Sequence, residues 1–308
     1  MKNRIHFSKA FLPCAIVSLV VIMSGVVGLF VRGINLGIDF KPGMIEEVEI
    51  SNATGIEEVR DALSAFGGVS VKKIGGEDSS FYQIRAGISE GDDDSKITDA
   101  LNAKYGAANV SVQKTDFIGS SMSASLARNS ILLLVGTMVL IWLYATVRFH
   151  WDFALGAIIA LIHDICIMFT FIIWTQLEFG TTVLAAVLTI VGYSINATVV
   201  ILDRVRYNLP LMEVKKFSEI LDQSLTDTLV RSIITTATTL FAVLSLYIFT
   251  TGSIKDFALA MMVGLLSGCY SSIFISSGFI NLTRQNWKPE FGFHHALPKN
   301  PAPTVMVS

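Results

Sequence analysis

Residues 153–174 read FALGAIIALIHDICIMFTFIIW. A helix needs about 20 mostly apolar residues to cross the hydrocarbon of a bilayer, and this stretch is long enough. It has no polar face of the kind that a helix packed on a soluble core shows to water. Its only charged-type side chains, His163 and Asp164, sit together at its centre. Working outward, five further stretches have the same character: Phe11–Val31, Ile131–Val147, Thr182–Leu202, Ser232–Phe249 and Phe257–Ile280. The fold class is therefore a polytopic α-helical membrane protein with six transmembrane helices. The composition agrees. Of 308 residues, 52% are apolar and 16% charged, where soluble domains run at about a quarter charged, and the mean hydropathy is +0.59.

These figures exclude a disordered chain and a secreted disulfide scaffold. The three cysteines, Cys14, Cys166 and Cys269, all lie inside apolar runs, with neither a disulfide framework nor metal-ligand spacing. A net charge of −2 gives no reason to expect a nucleic-acid partner.

Topology follows from the short loops. Lys2, Arg4, Lys9, Arg148, Arg204, Arg206, Lys215, Lys216, Arg284 and Lys288 would share one side, whereas Thr175–Thr181 has no Lys or Arg and Thr250–Asp256 has only Lys255. Both termini are expected to be cytoplasmic. The first apolar run is too long for a signal-peptide core and is expected to be retained. The predicted layout is a cytoplasmic N-terminus at 1–10, an extracytoplasmic segment with linkers at 32–129, a cytoplasmic loop and start of span five at 203–231, and a flexible cytoplasmic tail at 281–308.

Within the outside segment the hydropathy period changes. Met44–Ile50, Val69–Ile74, Phe81–Ile88 and Val110–Lys114 read as strands, and Ile56–Phe66 and Ser95–Tyr105 as amphipathic helices. Thr54 with Glu57 forms a capping-box pattern. Gly75-Gly76 reads as a turn, and Glu90–Asp94 as a solvated acidic loop. The order β-α-β-β-α-β predicts a small α+β ferredoxin-like domain. It holds no nucleophile with a base and no phosphate loop, so it suits contact with another protein, or a spacer.

Ionisable residues inside a membrane are costly and point to function. His163 and Asp164 could relay protons or simply bond helices together. Span four carries Gly192, Tyr193, Ser194, Asn196 and Thr198; the small residues favour close packing, and Asn196 needs a polar partner. Arg231 opens span five with Thr235 one turn deeper, and from position alone it reads as an interfacial anchor. Asp203, Arg204 and Arg206 read as a cytoplasmic ion-pair cluster. No HExxH and no GxSxG is present, so no enzyme, cofactor or metal is expected.

The order and spacing of these pieces resemble the SecF family, the smaller membrane subunit of the bacterial SecDF complex, within the resistance-nodulation-division (RND) superfamily. The resemblance is carried by Gly37-Ile-Asp-Phe40, Arg148-Phe-His-Trp-Asp-Phe-Ala-Leu-Gly156, His163-Asp164, Gly192-Tyr-Ser-Ile-Asn196, Asp203-Arg-Val-Arg206 with Asn208, and Thr228-Leu-Val-Arg231 through Thr235. It implies pairing with SecD and use of a proton or sodium gradient to aid late translocation and release of secreted proteins. It also implies work beside the SecYEG channel, with YajC and YidC as further partners, on a translocating unfolded polypeptide at the inner membrane. Arg231, Thr235, His163 and Asp164 match the family's ion-coupling positions, and Asn196 joins them as a candidate. Asp39 would be a hinge into the outside domain, or a turn or cap residue. Two positions depart from the family pattern: Ala197 stands where an aspartate is common, and Pro42 where a glycine is usual. Coupling would then rest on a carboxylate of SecD, or on Asp164, or the subunit would be structural only. An exporter half is a further, weaker alternative.

Overall fold

Hydropathy marks where a chain crosses lipid, and backbone hydrogen bonding decides where each helix ends. The computed structural model describes residues 5–285 except 38, 54, 65, 67–68, 75–78, 88–94, 213 and 215. The expected cap at Thr54, the turn at Gly75-Gly76, the acidic loop at Glu90–Asp94 and the tail beyond Trp287 lie wholly or mainly outside these residues.

A short 3-10 turn, Phe7–Ala10, leads into α1 (Phe11–Arg32). The outside domain follows as β1 (Gly43–Ile50), α2 (Ile56–Ala62), β2 (Ser70–Ile74), β3 (Phe81–Ala86), α3 (Ser95–Tyr105) and β4 (Val110–Ile118). The chain then re-enters the bundle through α4 (Ser120–Arg148), α5 (Trp151–Thr175), α6 (Thr181–Asn208) and α7 (Phe217–Phe249). The last span is α8 (Gly252–Tyr270), a π-helical turn Ser271–Ser276 and α9 (Ser277–Thr283). Among the described residues six helices are long and apolar enough to cross a membrane.

Two expected boundaries are corrected. Helix α4 begins at Ser120, inside the segment 32–129 assigned to the outside domain, because residues 120–130 hold no Gly or Pro and propagate the helix beyond the lipid. The expected loop at 203–231 is mostly helical. Helix α6 runs on through its charged end to Asn208, shortly before Pro210 stops it, and α7 starts at Phe217. In the outside domain α2 stops at Ala62, short of Phe66, and β4 extends to Ile118.

The sheet is antiparallel with order β2-β3-β1-β4, the strand order of a ferredoxin-like fold. One face is apolar. Met44, Val48 and Ile50 of β1 and Tyr82 and Ile84 of β3 meet Val59, Leu63, Ile97, Leu101 and Tyr105. Alternation sends Lys72 and Arg85 to the opposite face, which turns toward the membrane bundle. At the start of β1 a Cβ on Gly43 would lie 2.6 Å from the Ala86 carbonyl oxygen, so the β1–β3 contact there requires glycine.

Within an apolar 18-residue stretch of each span, 56%, 44% and 56% of the residues of α5, α6 and the last span are buried, against 17%, 6% and 17% of those of α1, α4 and α7. The first three are thus the inner helices, and the others are left for lipid or a neighbour. Small residues let the inner helices close: a Cβ at Gly268 would come 3.2 Å from Ser194 Cβ.

Burial, and then Glu58, push the Tyr105 phenol up to about 12. Its hydroxyl is buried with no hydrogen-bond partner among the described residues. A raised folded value leaves stability whole below the unfolded value near about 10 and removes it as pH climbs toward the folded one. Domain stability, read as a denaturant midpoint by near-UV circular dichroism, should therefore be flat below about pH 10 and fall by about pH 12. Tyr105→Phe should lessen that fall without lowering stability at neutral pH, leaving the part due to Tyr82, whose phenol burial also pushes up.

Candidate functional site

Helix α5 places Asp164 at 0% exposure and His163 at 6% in the middle of the bundle. A carboxyl group there must be satisfied by protein donors. Ser194 of α6 donates to Oδ2 at 2.6 Å, Ser271 of the π-helical turn donates to Oδ2 at 2.7 Å, and Ser267 of α8 donates to Oδ1 at 2.6 Å. The imidazole of His163 meets Oδ1 through Nδ1 at 3.2 Å and Ser18 Oγ of α1 through Nε2 at 3.0 Å. Ser18 donates to Tyr270 Oη at 3.0 Å, and Tyr270 donates to the Cys14 carbonyl at 2.7 Å. One polar network thus ties α1, α5, α6 and the last span together.

The other candidates form a separate place. Asn196, Ala197 and Tyr193 of α6 and Arg231, Ser232, Thr235, Thr238 and Thr239 of α7 line a cavity of about 250 Å³. Asn196, Arg231, Thr235 and Thr238 are exposed, so the cavity opens on the outer face of the bundle. The Thr235 hydroxyl donates to the Arg231 carbonyl of its own helix at 2.8 Å. Thr239 donates to Tyr193 Oη at 3.4 Å. Among the described residues no carboxylate pairs with the Arg231 guanidinium; Asp227, one turn earlier, is taken by Arg204 of α6 at 2.6 Å.

Asp39 is a cap. Its Oδ2 accepts from the Thr181 amide at 2.7 Å and the Thr181 hydroxyl at 2.8 Å, at the start of α6, where Gly180 has no side chain to do so. The linker around it is zipped to the α5–α6 loop. The Phe179 amide donates to the Asn35 carbonyl at 2.8 Å and the Gly37 amide to the Phe179 carbonyl at 2.9 Å. Acidic residues of the helix ends then hold the polar face of the sheet. Glu178 pairs with Arg85 and, at 2.9 Å, with Lys72; Asp256, early in α8, pairs with Lys72 at 2.5 Å. Burial pulls the Arg85 guanidinium below its ordinary value, and the Asp39 and Asp256 carboxylates oppose that pull.

At the opposite end the charged clusters pair between helices. Arg148 bonds Asp203 at 3.1 Å. Arg284 and His150 share buried Asp152. Buried Asp222 accepts from the Ser8 amide at 2.8 Å and its hydroxyl at 2.9 Å, so the N-terminal turn is fastened to α7. Sequence reading missed Asp152, Asp222, Glu178 and Asp256. It read Ser194 as a packing residue and not as a donor, and it missed Ser267 and Ser271, although their helical spacing in an apolar run is a readable signal.

These features define a polytopic α-helical membrane protein with ionisable groups inside its bundle and on its outer face, and a ferredoxin-like domain docked on one end. The family model described as "Protein export membrane protein SecD/SecF, C-terminal" matches residues 97–286, and the "SecD/SecF GG Motif" matches residues 27–53. Protein translocase subunit SecF of Rhodothermus marinus is 37% identical over 283 residues, covering 88% of this chain and 89% of the relative. SecF of Treponema pallidum is 42% identical over 257 residues, covering 75% of this chain but only 61% of that protein. The crystal structure of SecDF, a translocon-associated membrane protein from Thermus thermophilus, aligns with 92% of this chain at 27% identity and a TM-score of 0.80. The present chain corresponds to 39% of that SecDF chain. It belongs to the SecF family of protein translocase subunits.

Glu178→Ala should leave Arg85 without its closest carboxylate, at a cost of about 3 kcal/mol by the measure of broken buried pairs. The expected signature is faster amide hydrogen exchange at Gly37, Phe179 and Thr181, with β1 and β3 unchanged. Equal loss of protection throughout the sheet would instead mean that Glu178 holds up the domain itself.

Proposed function

We propose that this chain is a non-enzymatic membrane subunit of the bacterial protein-export machinery, seated in the inner membrane with both termini cytoplasmic. In this reading it pairs with a SecD-type bundle across the α6–α7 face. The pair uses a proton or sodium gradient to promote late translocation and release of secreted polypeptides. SecYEG is the channel it serves, with YajC and YidC as further neighbours, and no cofactor is involved.

One observation carries the reading: Arg231 lies exposed on a membrane-spanning helix, beside a polar cavity, with no carboxylate partner among the described residues. An arginine within a span costs about 3 kcal/mol by insertion scales unless something answers it. Asn196 on the same face adds an amide that lipid cannot satisfy, whereas Thr235 and Thr238 donate to carbonyls of their own helix. A second bundle that brings a carboxylate to this cavity meets all of these demands together. Ala197 in the cavity wall supplies none from this side. The same Ala197 favours a second reading, in which the chain only stabilises SecD and the channel.

The two readings differ in what Arg231 does. Arg231→Ala should leave the complex assembled, as judged by co-purification. Secretion measured in inverted membrane vesicles should fall by about tenfold, within the range of ordinary coupling free energies. Normal secretion at constant assembly would leave only the structural reading. Ala197→Asp, which returns a carboxylate to the cavity, should change the secretion rate only for a coupling subunit.

A further inference from the structure

Where the folded domain meets the bundle, a cavity of about 460 Å³ lies between the α1–β1 linker, α2, the end of β3 and the α5–α6 loop. Ordinary ligand sites run from about 300 to about 1,000 Å³. Part of the wall is apolar, made by Leu36, Pro42, Val69 and Ala86.

The charge in the wall is not balanced. Among the described lining residues Glu178 is the one carboxylate, and Arg85 beside it takes up that charge. Lys41 and Arg60 remain. No carboxylate pairs with Lys41 among the described residues. Arg60 pairs with Glu57 at 2.6 Å on the open side of α2, where the two side chains are 49% and 74% exposed, and such a pair is weak. Its guanidinium keeps further N–H donors. The two cations belong to different parts of the chain. Lys41 sits in the linker that leaves α1, with a backbone restricted by Pro42, and Arg60 sits in the domain.

The depth of the cavity follows from the helix ends. Asn35 and Glu178 line it, each three residues past the end of its helix, α1 at Arg32 and α5 at Thr175. Three residues reach at most roughly 10 Å, and the headgroup layer on each side of a bilayer is about 5–8 Å thick. The half-exposed Trp174 marks that layer. Arg32 lies 5.7 Å from its ring centre and donates to its carbonyl at 2.9 Å. The cavity is therefore at headgroup level.

We propose that this cavity binds the headgroup of an anionic phospholipid from the leaflet on the domain's side, with Lys41 and Arg60 on the phosphate and the apolar wall against the glycerol and first methylenes. A free inorganic anion would answer the two cations and leave Leu36, Pro42 and Val69 uncovered. An acidic polypeptide would bring backbone amides and carbonyls to a wall with few partners for them. A lipid held here touches linker and domain together, so its binding favours the docked position of the domain. The proposal rests on the membrane reading of the spans and not on ion coupling.

The test is photolabelling of the full chain with its native membrane partners in nanodiscs of phosphatidylcholine. The probe is phosphatidylglycerol with a diazirine near its glycerol, and labelled peptides are mapped by mass spectrometry. The expected label falls on residues 33–42 and is displaced by added phosphatidylglycerol. Lys41→Gln and Arg60→Gln should each weaken labelling about fivefold, the usual worth of one cation near a lipid surface, and Lys41→Arg should retain it. Both residues are exposed, and unchanged near-UV circular dichroism would show that the domain stays folded. Equal labelling by a diazirine phosphatidylcholine would overturn the proposal, as would labelling that neither Gln variant weakens. Displacement by inorganic phosphate as readily as by phosphatidylglycerol would make this a free-anion site and overturn the lipid assignment. Displacement by an oligoglutamate peptide but not by phosphatidylglycerol would assign the cavity to acidic polypeptide instead.

Discussion

A carboxyl group in the middle of a membrane bundle has no water to turn to, and the arrangement of the inner helices follows from how Asp164 is answered. Its donors come from α6, from α8 and from the π-helical turn. Through His163 the same network reaches α1. Any of these helices that rotated alone would strand a polar group in a medium where stranding is costly. The serines do two jobs. They are small enough for close crossings, as where Gly268 meets Ser194, and they supply the hydroxyls. Apolar packing alone distinguishes poorly between rotations of a helix in lipid; the network selects one.

The outside domain obeys the same rule at the rim of the bundle. Its sheet is apolar on one face only, and the other face lies over helix ends whose backbone groups need partners. Asp39 answers the amide of Thr181, and Glu178 and Asp256 answer Lys72 and Arg85. The loops involved join α5 to α6 and α7 to α8. Those four helices carry Asp164, Asn196, Arg231 and Ser267. A displacement of any of them therefore has a direct bonded route to the sheet.

Much of this was legible in the sequence. Six spans follow from composition because lipid selects on hydropathy alone. The β-α-β-β-α-β order follows because a change of period from 3.6 to 2 survives at the level of single residues. Helix ends did not follow: α4 and α7 begin well before the apolar runs that mark their spans, and nothing in hydropathy separates a helix in water from a loop. His163 and Asp164 were visible because charge inside a span is rare. Their serine partners were not, since a serine in a span also reads as a packing residue. The cap made by Asp39 was one of two readings left open, and the helix that it caps is remote in sequence. Glu178 and Asp256 sit in or beside short loops, where an acidic residue is unremarkable until the sheet is seen above it.

A single residue, Gly119, separates the edge strand β4 from α4, and α4 is the helix least covered by the rest of the bundle. Strand and helix therefore share a junction with almost no slack. A transmembrane helix adjusts its tilt to the thickness of the bilayer around it. Here the tilt of α4 would be passed on to the sheet, so lipid chain length itself becomes a variable that the domain outside the membrane can register.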